Sequence, residues 1–194
     1  MAIKIEDLLA DALLELCKDK PLKNITIKDL RDKTGISRQS FYNHFKDKND
    51  LIQWIYYHRV LVRFQEVCIE EDYYKDLLDY YNRVAEYHYF LKPAALMTDQ
   101  NCLRDYMYEH PFQWELKYHE IWCRENQTEA PVEEELRFFT RYHALASVGI
   151  TIEWILEDMP VTPEVMADRI AYLKRIGMSQ ILKDSEEKPH HLYR

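Results

Sequence analysis

Ile25-Thr26-Ile27-Lys28-Asp29-Leu30-Arg31-Asp32-Lys33-Thr34-Gly35-Ile36-Ser37-Arg38-Gln39-Ser40-Phe41-Tyr42-Asn43-His44-Phe45-Lys46-Asp47-Lys48-Asn49-Asp50-Leu51 is the stretch that decides the fold. Thr26 is a good helix N-cap with an acid, Asp29, three positions on, and Ile25 and Leu30 have the spacing of a hydrophobic staple. The spacing predicts a helix over about 27–33 that stops at Thr34-Gly35, where glycine supplies the left-handed C-terminal cap. The pattern then restarts. Ser37 is a second N-cap, Ile36 staples to Phe41, and a third cap follows at Asp47 with Asp50 three further on. Just upstream, Ile5, Leu8, Leu9, Ala12, Leu13 and Leu16 recur at three-and-four spacing, which predicts an amphipathic first helix over about 4–19, ended by Pro21.

Two short helices separated by a few residues with a glycine between them describe a helix-turn-helix, whose second helix enters the DNA major groove. The facing of that second helix suits the task. Phe41 and Phe45, four apart, anchor its inner side, while Arg38, Gln39 and Asn43 carry the donors and acceptors that read base edges. Tyr42, His44 and Lys48 offer a phenol, an imidazole and an ammonium to phosphate oxygens, and the helix starts capped by Thr26, Ser37 and Asp47 offer backbone N–H groups. Charge is partitioned accordingly. Residues 21–48 hold seven Lys/Arg and three acids, whereas the other 166 residues hold 19 bases and 31 acids within an overall net charge of −8. A basic segment on an acidic body keeps most of the molecule turned away from phosphate.

These residues resemble the DNA-binding segment of the TetR family of bacterial transcriptional regulators. The likeness rests on the capped Thr26, Gly35 followed by Ser37, the run Phe41-Tyr42-Asn43-His44-Phe45, and Lys48 ahead of Leu51. It implies phosphate contacts from Tyr42, His44 and Lys48, and operator choice by Arg38, Gln39, Ser40 and Asn43. It also implies double-stranded operator DNA as partner, a homodimer, and an effector (a small molecule or a partner protein) received by the body, with repression as the family default. A narrower resemblance, over Phe41 to Lys48 and Leu51-Ile52-Gln53-Trp54-Ile55-Tyr56, is to TetR-type regulators related to those of dihydroxyacetone kinase operons, some of which activate through a partner protein.

Beyond the motif the chain reads as all-α. Its three glycines, where average usage would supply about fourteen, disfavour barrels, sandwiches and glycine-loop nucleotide folds. The pattern predicts a connecting helix from about 48 to 70, then helices near 73–91, 100–109, 112–126, 131–157 and 163–181, with a polar, frayed tail from Lys183. Pro93 is expected to break the helix after Phe90. The expected organisation is a DNA-binding domain over 1–46 and a helical effector-binding and dimerisation domain over 47–194. On the penultimate helix Leu136, Phe139, Ala146, Ile150 and Trp154 mark one face, with Ala144, Ser147, Val148 and Thr151 slim enough for close approach of another helix. Met166, Ile170 and Leu173 form a stripe on the last helix. Both stripes are expected to serve a pairing with a second copy, because reading two half-sites needs two recognition helices about 34 Å apart.

Fifteen tyrosines, seven phenylalanines and four tryptophans make the body aromatic. Tyr81, Tyr87, Tyr106, Trp114, Tyr118, Trp122 and Trp154 are the expected lining of a ligand pocket. His119 and Cys123 are four apart on one helix, but a closed zinc site needs four ligands, so no metal and no cofactor is expected. The chain has no Walker loop, GxSxG, HExxH or GxGxxG, so no enzyme is expected either. Four separated cysteines without a CxxC pair, no leader, and no run near the roughly 20 apolar residues of a membrane span point to a reduced, cytoplasmic protein. The reading from another class is a helical ligand- or metal-sensing module without DNA recognition.

Overall fold

The computed structural model describes residues 4–64, 73–125 and 133–187. All of its regular elements are helical. Helices α1 (Ile5–Asp19), α2 (Ile27–Thr34) and α3 (Arg38–His44) are followed by α4 (Lys48–Ile55), which runs into a π turn over Tyr56–Val60 and a 3₁₀ turn over Val62–Phe64. The body comprises α5 (Tyr73–Glu86), α6 (His88–Ala95), α7 (Leu103–Glu125), α8 (Glu133–Leu156) and α9 (Pro163–Glu187).

The N-terminal caps form as the side chains require. Thr26 Oγ1 accepts from the Asp29 N–H at 3.2 Å, and the Asp29 carboxylate accepts from the Thr26 N–H at 2.7 Å. Gly35, at φ 75°, closes α2 by donating its N–H to the Arg31 carbonyl at 2.8 Å. Ser37 Oγ accepts from the Ser40 N–H, and the Asp47 carboxylate from the Asp50 N–H. The apolar faces then close on one another: Leu9, Leu13, Leu22, Ile25, Leu30, Phe41 and Leu51 are all but inaccessible. Through Ile52 and Ile55 of α4 and Tyr56 of the π turn this core continues into Phe90 and Leu91 of α6 without interruption.

The body departs from the expected boundaries in four places. The connecting helix ends early: the Leu61 N–H reaches the Tyr56 carbonyl at 3.0 Å, and the π turn this closes buries Tyr56 and Val60. The break near Phe90 falls instead at Tyr87 (φ −94°, ψ 13°), while Pro93 is carried inside α6. Pro111 likewise sits inside a continuous α7 rather than between two helices, because Leu103, Met107, Phe112 and Leu116 bury one side of both halves and packing outweighs the lost hydrogen bond. Helix α9 continues to Glu187, through the first part of the tail expected to fray; residues 188–194 lie outside the described residues.

Helix α8 is rotated relative to the face read from its sequence. Leu136, Thr140, His143, Ala144, Val148, Thr151 and Ile155 form its buried stripe, so most of the slim residues expected at a close-packed pairing surface face the chain's own core. Trp154, Met166 and Ile170 are buried too. Among the described residues the large apolar side chains left outside are Phe138, Tyr142, Leu145 and Ile150 on α8 and Tyr172, Leu173 and Ile176 on α9. At Gly177 a Cβ would lie 2.5 Å from the Phe139 ring, so glycine is what lets α9 close on α8 there.

Candidate nucleic-acid interface

Helix α3 presents two chemistries on opposite sides. Phe41 is fully buried and Phe45 nearly so, their rings 6.0 Å apart, with Phe45 meeting Trp54 of α4 edge-on. Arg38, Gln39, Tyr42 and Asn43 are exposed, and Ser40 is half-buried beside them. Two contacts order the outer face: Gln39 Nε2 donates to Asn43 Oδ1 at 3.0 Å, and the Arg38 guanidinium lies 5.5 Å from the centre of the Tyr42 ring. Such pairing orders long side chains on the exposed face in advance, which lowers the ordering cost of any contact they make.

The remaining expected DNA contacts are engaged within the protein. His44 Nδ1 lies 2.9 Å from the Glu6 carboxylate of α1. The backbone at the start of α1, ahead of His44, holds the Glu6 carboxyl below its ordinary value. The Thr26 hydroxyl belongs to its capping box. Lys48 differs most from expectation. Its ammonium donates to the carbonyls of Leu22 and Ile25 at 2.9 Å each and approaches that of Lys23 at 3.4 Å. Burial pushes its pKa down. In this structure Lys48 fastens the start of α4 to the linker between α1 and α2.

A second connection joins α1 to the base of the body. Arg59, in the π turn, reaches Asp7 at 2.9 Å and Asp11 at 3.2 Å, and the Arg59 carbonyl accepts from Arg83 of α5. No residue spacing announces these pairs, since Arg59 and Asp7 are 52 positions apart.

Inside the body lies a cavity of about 550 Å³, counting its open mouth, between the π turn, α5, α7, α8 and α9. Of the seven aromatic residues expected to line a pocket, Tyr81 and Trp114 do so. Tyr106, Tyr118 and Trp154 stand one layer back: Tyr106 stacks on His110, Tyr118 stacks on Trp114, and Trp154 meets Tyr81 edge-on. Tyr87 is at the α5–α6 turn, away from the cavity, and the side chains of Trp122, His119 and Cys123 lie outside the described residues. Walls not foreseen come from Tyr56, Phe64, Tyr73 and Tyr80. The Tyr56 and Tyr80 hydroxyls meet at 2.8 Å, and Tyr81 meets Thr151 at 3.0 Å. Burial raises the pKa of all four of these tyrosines, so they stay neutral.

One wall is charged. Glu115 of α7 lies against His143 of α8 at 3.1–3.2 Å and 3.8 Å from the Lys174 ammonium of α9, all three buried. The signal for Lys174 was in the sequence: it continues the Met166–Ile170 stripe at a spacing of four, where a charged residue is out of place. Among the described residues no group of His, Cys, Asp and Glu side chains could hold a metal ion, and no helix is long and apolar enough to cross a membrane.

A capped helix-turn-helix carried by a larger all-helical body is the architecture of the TetR regulators, and the chain matches that family at both ends. Residues 9–55 match bacterial regulatory proteins of the tetR family, and residues 71–175, more than half the chain, match a transcriptional regulator C-terminal region. The protein belongs to the TetR family and is a DNA-binding transcriptional regulator. It is 27% identical over 162 residues to the HTH-type dhaKLM operon transcriptional activator DhaS of Lactococcus lactis, covering 80% of this chain and 81% of that one. It is 22% identical over 175 residues to the HTH-type regulator YxbF of Bacillus subtilis, covering 82% of this chain and 42% of that longer protein. Among solved structures, a dihydroxyacetone kinase operon activator DhaS superposes with a TM-score of 0.66 at 22% identity, over 93% of this chain and 97% of that one. A TetR-family regulator from Syntrophomonas wolfei superposes with a TM-score of 0.60 at 15% identity, over 89% and 94%. Those two likenesses concern the fold.

Proposed function

We propose that this regulator binds operator DNA as a homodimer, with residues 1–46 reading the operator and residues 47–194 pairing the two copies and receiving a signal. The observation that carries the reading is the orientation of α3: Phe41 and Phe45 turn inward, so Arg38, Gln39, Tyr42 and Asn43 share one exposed face. Arg38, Gln39, Ser40 and Asn43 read bases, while Tyr42, His44 and the capped helix starts at Thr26 and Ser37 meet phosphates. Lys48 supports these contacts from behind by holding the linker in place.

The exposed apolar residues of α8 and α9 supply the pairing surface, since large apolar side chains grouped on the outside of two helices favour a protein contact. Signal reception shifts the tilt of α4 and so the spacing of the two recognition helices, which requires that the signal bind the two arrangements with different affinity. The protein works in the cytoplasm, where promoter DNA is, and no catalytic step is assigned to it. Repression follows from operator occupancy. Similarity to an operon activator favours a second reading, in which the bound dimer recruits transcription.

Fluorescence anisotropy with DNA from the chain's own promoter region tests operator binding, and the affinity should fall steeply as salt rises. Affinity indifferent to salt would remove the reading. A promoter fusion assayed with and without the protein separates the two outcomes: expression rises on deletion for a repressor and falls for an activator.

A further inference from the structure

The Glu115–His143–Lys174 cluster leaves donors unused. Lys174 Nζ is buried, lies 3.8 Å from Glu115, beyond hydrogen-bond reach, and has no hydrogen-bond partner among the described residues. Three rings surround it: Tyr73 at 3.9 Å, Tyr118 at 4.8 Å and Trp114 at 5.7 Å from their centres. Tyr73, Trp114 and Glu115 are themselves cavity walls, so the ammonium lies directly behind that wall, and an anion reaches it by parting the rings that cover it. Trp114 Nε1 is likewise buried with no partner among the described residues, and so is Nε2 of His110, another wall residue. Buried donors are almost always satisfied, and a buried charge without a hydrogen bond is more costly still. Glu115 does not resolve this, because its two oxygens are turned toward His143. Among the described residues no acceptor oxygen comes within hydrogen-bond distance of Lys174 Nζ or Trp114 Nε1.

We propose that the cavity binds a small organic anion, a carboxylate on a compact aromatic body, whose oxygens take the hydrogens of Lys174 and Trp114. The aromatic walls supply the surface for the ring, and a charge-assisted bond to a buried ammonium anchors the head. A cation is disfavoured because the Lys174 ammonium already occupies the ring cage that would receive it. A neutral ligand without an acceptor oxygen would leave the hydrogens of Lys174 and Trp114 unmatched, since Glu115 balances the charge of Lys174 without accepting from it. The proposal rests on the reading of the body as signal receiver and names the class of signal. Lys174 sits between Leu173 and the stretch leading to Ile176, so an anion drawn to it acts on the helix whose other side carries the exposed apolar patch.

The test is calorimetric titration of the full chain with three ligands of one shape: phenylacetate, the neutral phenylacetamide and the cationic phenethylamine. Phenylacetate should bind with a dissociation constant of about a millimolar or tighter, as expected of a ligand this size in a fitting pocket. It should bind more tightly than the amide, and the amide more tightly than the amine. Lys174→Met should weaken phenylacetate by about 10-fold or more and leave the amide little changed, the loss of a charged hydrogen bond. Trp114→Phe, which keeps the ring and removes only the N–H, should weaken phenylacetate by about 2- to 10-fold and serves if the lysine variant fails to fold. Tighter binding of the amine, no saturable binding of phenylacetate, or unchanged phenylacetate affinity in the variants would overturn the assignment. Operator binding by the unliganded chain is scored separately. Its absence sinks the regulator reading, whereas operator binding without carboxylate binding sinks only the ligand.

Discussion

In the N-terminal segment the polar side chains that shape the backbone find partners close by in sequence: Thr26 with Asp29, Ser37 with Ser40, Asp47 with Asp50. In the body the corresponding bonds span helices: Glu115 to His143 is 28 residues, His88 to the Ile155 carbonyl 67, and Tyr81 to Thr151 70. The first kind of structure is set by local chemistry and the second by assembly. The contrast explains why the reader is a compact unit with its apolar groups inside and its recognition groups outside, while the body keeps ionisable groups and open space in its interior. On the proposed division of labour, a unit that presents one surface to DNA is served by closure, and one that responds to a signal by an incompletely satisfied core.

The largest test of this contrast is Phe41→Ala. Removing a fully buried ring from the small N-terminal core should cost about 3–5 kcal/mol in urea unfolding and abolish operator binding with it. A variant that still bound operator with native affinity would show that the reader does not depend on its own closure. Lys48→Met comes next, at about 1–3 kcal/mol, since it strips charged hydrogen bonds from the linker carbonyls. Its salt dependence is the sharper readout. A positioning residue leaves the slope of log affinity against log salt unchanged, whereas loss of a phosphate contact lowers it by about one.

Arg38→Ala should cost about 1–3 kcal/mol of operator affinity and relax the preference at one base position, with stability unaffected. Equal losses on operator and random DNA would reassign Arg38 to the phosphate backbone. Thr26→Ala should destabilise by about 1 kcal/mol through its cap. The same box carries a pH signature. Lys20, with Thr26, holds the Asp29 carboxyl well below its ordinary value of 3.8. A carboxylate depressed on folding stabilises above its unfolded value and loses that contribution as the pH falls toward its folded value, so the chain should lose stability below about pH 4 and Asp29→Asn should lose less over the same range. The smallest effect is in the body: Tyr81→Phe, at about 0.5–1.5 kcal/mol, because Thr151 keeps its bond to the Ser147 carbonyl.

The same contrast decided what the sequence made legible. The three caps, Gly35 and the inward phenylalanines each rest on residues within five positions of one another, so their outcome follows from spacing alone. In the body, spacing marked the helices but not their rotation. Ala144, Val148 and Thr151 are small enough for an interface with another copy and equally for the chain's own core, and only the assembled packing of α7 on α8 chooses. Pro111 shows the same limit: a residue that ends helices in isolation is carried through one when both flanks are buried. The cavity's aromatic character was readable, yet its walls were not, because Tyr56 and Phe64 enter only through the turns that end α4. The use of Lys48 was hidden for the same reason, its acceptors lying 23 and 26 residues away.

The three bonds of the Lys48 ammonium have a mechanical meaning. A lever delivers motion only as far as its joints are stiff, and this joint couples the first turn of α4 to the backbone that precedes the reading unit. Any swing of α4 therefore carries the helix-turn-helix with it as one piece instead of being absorbed in the linker. On the proposed function, this single cation, bonded to backbone and not to a nucleotide in this structure, sets how faithfully events in the body are felt at the promoter.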